Sequence, residues 1–169
     1  MDKKTLAVLG VAFVGLLGLV LITGGGGGSE RLPAEPVVLA SLGGPSVTWS
    51  ACPAAKCLTV YVAPWCGVCR ASTGFLKVFV AAMERAGVPS RVVVGLGAPD
   101  AVAEYARDFG PQALLDPGGK VPLVGGVPQF IVTSSDGRVL KRQPGVPRII
   151  DPPVPEEDIR ALASHLGLR

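Results

Sequence analysis

Apolar residues, with glycine among them, run unbroken from Leu6 to Ile22. Seventeen residues is the short end of what crosses a bilayer, yet longer than the usual apolar core of a cleaved signal peptide. Lys3 and Lys4 precede the run, which places the N-terminus in the cytoplasm and the rest of the chain outside. The pattern predicts an uncleaved single-pass anchor over residues 1–23, with 6–22 in the membrane. Gly24 to Gly28 and Ser29 then read as a flexible tether, stiffened by Pro33 and Pro36, so that 24–36 forms a linker. The remaining residues, 37–169, form the folded part.

Within that part the patterning alternates between strand and helix. Val37 to Ala40 suggests a short strand, broken by Gly43, Gly44 and Pro45. Cys57 to Ala63 is β-branched, aromatic and almost continuously apolar, as a strand buried on both faces reads. Pro64 ends it. From Gly67 the spacing becomes helical, with Val68, Phe75, Leu76, Phe79 and Met83 near one face, and Gly87 and Pro89 supply the stop. Arg91 to Leu96 is a second buried strand. Ala98 to Phe109 is a second helix, closed by Gly110 and Pro111. Residues 111–126 read as loop, and Asp116-Pro117-Gly118-Gly119 as a turn. Val127 to Thr133 and Arg138 to Arg142 form a hairpin about the SSDG turn at 134–137. Pro155 to Leu166 is the last helix, with Glu156, Glu157 and Asp158 at the positive end of its dipole and Gly167 behind it. A βαβ unit followed by a ββα unit defines an α/β fold with a mixed central sheet flanked by helices.

Composition narrows this further. The 23 glycines and 16 prolines imply many turns rather than a helical bundle. The net charge of +3 is small and spread along the chain, with no basic run to bind nucleic acid. Four cysteines, an even number, fit an oxidising compartment.

The strongest chemical signal is Trp65-Cys66-Gly67-Val68-Cys69, set where a buried strand turns into a helix. A thiol in the first turn of a helix meets unsatisfied backbone N–H groups and the positive end of the dipole. Both favour the thiolate, the nucleophile of disulfide exchange. Three-residue spacing returns Cys69 to the side of Cys66, so the two can close a disulfide. Cys66 is expected to be the exposed attacker and Cys69 the buried resolving thiol.

Cys52 and Cys57 allow three readings: a structural disulfide, half of a four-cysteine zinc site, or a second redox centre relaying electrons to the first. If Cys57 begins the strand and Cys66 follows its end, about 20 Å separate them at roughly 3.3 Å per residue. Zinc needs every sulfur within about 2.3 Å of one metal, and a relay needs sulfur–sulfur contact. The structural disulfide is therefore favoured and no metal is expected. His165, the only histidine, reads as a surface residue, which leaves no histidine-assisted nucleophile. Arg70 follows the motif and could add positive potential, although long basic side chains usually reach for solvent.

The stretch VYVAPWCGVCR, the helix after it and the later GGVPQFIVTSSDGRVL resemble the active site and proline strand of the thioredoxin superfamily. QALLDPGGKVPLVGGVPQF resembles the membrane-tethered reductase branch that includes the TlpA and ResA proteins. The likeness covers residues 57–168 and implies a thioredoxin-like fold. It also implies that Trp65 flanks the active site and that Val127-Pro128 is a cis bond packed against the disulfide. The Val127 backbone would then pair with an extended substrate segment. Without the resemblance, Pro128 could simply start an edge strand.

Two positions depart from the family. Val60 stands where thioredoxins bury an acid that helps deprotonate the second cysteine, and Gly74 stands at the helix position that is commonly proline. Water or a distant carboxylate would have to replace the acid, and Glu84 lies too far along the helix.

The implied activity is a thiol–disulfide oxidoreductase, reducing disulfides of extracytoplasmic proteins such as apocytochrome c and recharged by a membrane electron donor or acceptor. No cofactor is required, since the cysteines carry the electrons. The expected location is the inner membrane, with the folded part facing the periplasm or cell exterior. The alternatives are a disulfide oxidase or isomerase, or a non-catalytic thioredoxin-like module binding metal or protein.

Overall fold

The computed structural model describes residues 30–31, 35–149 and 151–169. The expected anchor over 1–23 and the glycine tether lie outside the described residues. Among the described residues, no helix is long and apolar enough to cross a membrane.

Eight strands form the sheet: β1 (Glu30–Arg31), β2 (Val38–Ser41), β3 (Val47–Thr48), β4 (Lys56–Val62), β5 (Ser90–Gly95), β6 (Leu114–Asp116), β7 (Gln129–Ser134) and β8 (Arg138–Pro144). Their spatial order is β1-β8-β7-β4-β5-β6-β2-β3. β4, β5 and β6 run parallel, and the remaining pairs are antiparallel. The helices are α1 (Gly67–Ala71), α2 (Thr73–Arg85), α3 (Pro99–Ala106) and α4 (Glu156–His165), with a 3₁₀ turn at Arg107–Phe109.

β4 lies at the centre because it is apolar on both faces. Leu58, Val60 and Val62 enter the main core, beside Val92 and Val94 of β5 and Phe130 and Val132 of β7. α2 presses Phe75, Leu76, Phe79 and Met83 into the same layer, each burial stabilising by about 2 kcal/mol. The alternate residues Tyr61, Val93 and Ile131 point to the other face, as the two-residue period of strands requires. There they meet Leu39, Leu114, Val121 and the buried Trp49. Arg91 fixes the turn that carries Trp49, donating to the carbonyls of Thr48 (3.2 Å), Trp49 (2.8 Å) and Ala51 (2.6 Å).

Several expectations need correction. The helix expected to run on from Gly67 is two helices, broken at Ser72 (φ −97°, ψ 1°). Val68, expected on the buried face, is 44 % exposed, because it sits in the first turn, where the chain is still emerging from the sheet. The 111–126 loop contains β6, which adds a third parallel strand and pairs with β2. Asp116, read as part of a turn, is buried at the end of β6 and accepts hydrogen bonds from the Tyr61 hydroxyl (2.9 Å) and the Lys120 (2.7 Å) and Val121 (2.9 Å) amides. The hairpin strand starts at Gln129, after Val127 and Pro128. β1 falls inside the segment read as linker and pairs with Arg138 and Val139 of β8.

The arm joining β8 to α4 crosses the start of α2. A Cβ at Gly74 would lie 2.9 Å from both Cγ and Cδ of Pro152, so the proline ring rests on the bare backbone there.

Candidate active site

β4 ends at Val62, and the chain turns through Ala63, Pro64 and Trp65 into α1. The Cys66 amide donates to the Ala63 carbonyl (3.1 Å), closing that turn. Cys66 is the N-cap of α1, in extended conformation, and its Sγ accepts the Cys69 backbone N–H at 3.1 Å. The sulfur thus stands where Ser or Asp side chains cap other helices, facing an amide that no carbonyl satisfies. Because α1 is only five residues long, this local donor matters more than a long dipole.

A disulfide joins Cys66 to Cys69, with Cα atoms 5.2 Å apart. Cys66 retains 6 % exposure and Cys69 none. Cys66 is thus far less open than an exposed attacker, but it is the only residue of the pair with any exposed surface. Cys52 and Cys57 are joined to each other, with Cα atoms 5.6 Å apart. The four sulfurs therefore form two separate bridges rather than one zinc site. Among the described residues, no group of three or more His, Cys, Asp or Glu is placed to hold a metal ion.

The Val127–Pro128 peptide is cis, and the Val127 carbonyl oxygen lies 3.4 Å from Cys66 Sγ. Two contacts hold this corner. The Gly145 amide donates to the Pro128 carbonyl (2.7 Å). The buried Gln129 side chain binds the Val124 backbone through both its amide nitrogen and its oxygen. Trp65 is 65 % exposed beside Cys66, its indole N–H fixed on the Leu96 carbonyl. Leu96 turns that carbonyl toward the indole by adopting a left-handed conformation (φ 57°).

Sequence reading missed the clasp behind the cysteines. Arg70 does not simply reach for solvent: its Nε donates to the Pro64 carbonyl (2.7 Å), and its guanidinium lies 4.8 Å from the centre of the Tyr105 ring. Thr73 Oγ1 donates to the Cys69 carbonyl (3.2 Å) and lies 3.0 Å from the Tyr105 hydroxyl. Burial raises the Tyr105 pKa, with the Thr73 hydrogen bond and the Arg70 charge opposing that rise. Gln129 did carry a signal, a polar residue interrupting an apolar strand directly after a proline. Arg70 reads in the sequence only as a source of positive potential, and Thr73 and Tyr105 carried no signal, since the meeting of the three depends on how α1, α2 and α3 pack. His165 is exposed and bonds to Gln143 (2.9 Å), remote in sequence from both cysteines.

No family model and no curated protein matches the chain. Solved structures do. An exposed lipoprotein thioredoxin of Streptococcus pneumoniae aligns over 80 % of this chain and 100 % of its own, with TM-score 0.59 and 21 % identity. A secreted Mycobacterium tuberculosis disulfide oxidoreductase, homologous to DsbE of Escherichia coli, aligns over 79 % and 96 % with TM-score 0.56 and 15 % identity. A thio-disulfide isomerase of Thermus thermophilus aligns over 82 % and 96 % with TM-score 0.53 and 25 % identity. The chain therefore has the thioredoxin-like fold. Its structural neighbours within that class are thiol–disulfide oxidoreductases.

Proposed function

We propose that this chain is a membrane-anchored thiol–disulfide oxidoreductase acting on disulfides of extracytoplasmic proteins through Cys66 and Cys69. One observation carries the reading: Cys66 Sγ caps a helix on the Cys69 amide and is bridged to a fully buried partner, while Cys66 itself keeps a small exposed area. That amide favours negative charge on Cys66 over Cys69, which supports attack by the first sulfur and resolution by the second. The Val127 carbonyl, 3.4 Å from Cys66 Sγ, supports a substrate strand laid along the Val127 backbone. Exposed Trp65 flanks that path.

In the reducing direction, Cys66 thiolate attacks one sulfur of a substrate disulfide, and the other sulfur leaves as thiolate and takes a proton. Cys69 then attacks Cys66 Sγ, closing the internal disulfide and releasing the second substrate thiol. Two electrons pass to the substrate, and a membrane electron donor returns them to the pair. Anchorage through residues 6–22, a periplasmic or external position and apocytochrome c as a substrate belong to the same reading, supported by the sequence.

Insulin-disulfide reduction tests it: the wild-type protein should precipitate insulin B chain in the presence of dithiothreitol, and Cys66→Ser should fall to the uncatalysed rate. Equal rates for the two proteins refute the reading. The reduction potential of the pair then fixes direction, with about −270 mV or below marking a reductant and about −120 mV an oxidant.

A further inference from the structure

The resolving step needs Cys69 to lose its proton inside the core, and the usual buried acid is absent, replaced by Val60. The groups around Cys69 narrow the choice. The buried cluster that contains Cys69 is apolar, with Val60 and Val62 of β4, Phe130 of β7, and Phe75 and Leu76 of α2 among its members. The titratable or charged groups tied to the turns that carry Cys69 are Cys66, its bridge partner, Arg70, whose Nε is held by the Pro64 carbonyl, and Tyr105 of α3, which is paired with Thr73. Asp116 is the one buried carboxyl among the described residues. It is bound to Tyr61 and two amides, and the Tyr61 ring packs in the core on the other face of the sheet.

Ser72 remains. It is fully buried, and its hydroxyl finds no hydrogen-bond partner among the described residues. It lies three residues after Cys69, a spacing that makes side chains neighbours on one helix face. Side chains on a helix lean toward its N-terminus, which for position 72 is the side of Cys69. The Cys69 carbonyl, a local alternative, already accepts from Thr73. A buried hydroxyl left unpaired is destabilising, and alanine would avoid that cost.

We propose that Ser72 is a positioning residue for the resolving step, its hydroxyl donating to Cys69 sulfur once the disulfide is open and so stabilising the attacking thiolate. In the bridged state Cys69 Sγ is tied to Cys66 and the Ser72 hydroxyl makes no hydrogen bond to it; opening the bridge frees that sulfur to turn toward the hydroxyl. The step balances: Cys69 thiolate bonds to Cys66 Sγ, the Cys66–substrate S–S bond breaks, and the proton Cys69 gave up is matched by the one the leaving thiolate takes.

The inference rests on the exchange activity proposed above, and 5,5′-dithiobis(2-nitrobenzoate) separates the two. Reduced protein should release one thionitrobenzoate in a bimolecular phase set by Cys66, then a second in a concentration-independent phase set by Cys69. Ser72→Ala should slow the second phase about tenfold near neutral pH and move its pH midpoint up by about one unit, as loss of a hydrogen bond to a charged group implies. The first phase should stay within about twofold and the melting temperature should not fall, while Ser72→Thr should restore the second phase. A second phase unchanged in rate and pH midpoint overturns the role of Ser72, as does equal slowing of both phases. A wild-type protein that never releases the second thionitrobenzoate overturns the exchange reading itself.

Discussion

Replacing both Cys52 and Cys57 with alanine asks whether the second bridge is a staple or an electron path. The bridge joins residues five apart in sequence, and closing so short a loop in the unfolded chain is worth about 2 kcal/mol. Cys57 is buried at the start of β4, so its loss also leaves a small void, adding up to about 1 kcal/mol. For a folded part of about 130–140 residues this lowers Tm by roughly 8–12 °C. Exchange should be spared. Cys57 pairs with Thr133 near the hairpin turn, whereas Cys66 follows the far end of β4. The assay is urea unfolding of the oxidised proteins, with the active-site bridge intact in both, alongside insulin reduction. Unchanged stability refutes the loop-entropy reasoning. A folded variant without exchange refutes the staple and restores the relay.

Three further expectations concern the framework behind the site. Burial, and then the neighbouring Asp116, hold the Tyr61 pKa far above its ordinary value of 10. The folded state therefore keeps this proton more tightly than the unfolded chain, so the contribution is complete below pH 10 and lost as pH climbs beyond it. The urea midpoint should fall above that pH, less steeply in Tyr61→Phe, and a flat wild-type profile refutes the assignment. Gly95→Ala would drive a Cβ into the Tyr61 hydroxyl and the Asp116 carbonyl, so it should cost about 3 kcal/mol in denaturant titration. Arg91→Met strips three carbonyls of their donor, and should cost about 2–3 kcal/mol while leaving the alkylation rate of Cys66 unaltered.

Much of this layout could be read from the chain, and the gaps have physical causes. β4, β5 and β7 announce themselves because strands buried on both faces are built from continuous Val, Ile, Phe and Tyr. Phe75, Leu76, Phe79 and Met83 reveal α2 by their period. The break at Ser72 leaves no mark, since the apolar spacing carries across it. β6 is three residues long and embedded among Gly and Pro, and Asp116 closes it with a sequence that spells a turn. Cys66 and Cys69 were legible because their chemistry needs only local spacing. Arg70 on Tyr105, Gln129 on Val124 and the unpaired hydroxyl of Ser72 arise from contacts between segments, which periodicity does not encode.

Pro152 and Gly74 occupy what is in effect a single volume. Any side chain introduced at 74 claims the space the pyrrolidine fills, so the two positions are alternatives rather than independent sites. In a library randomised at both and selected for folding, side chains at 74 should be recovered only together with a smaller residue at 152. A proline grafted at 74 from a sister protein should be tolerated only in that company.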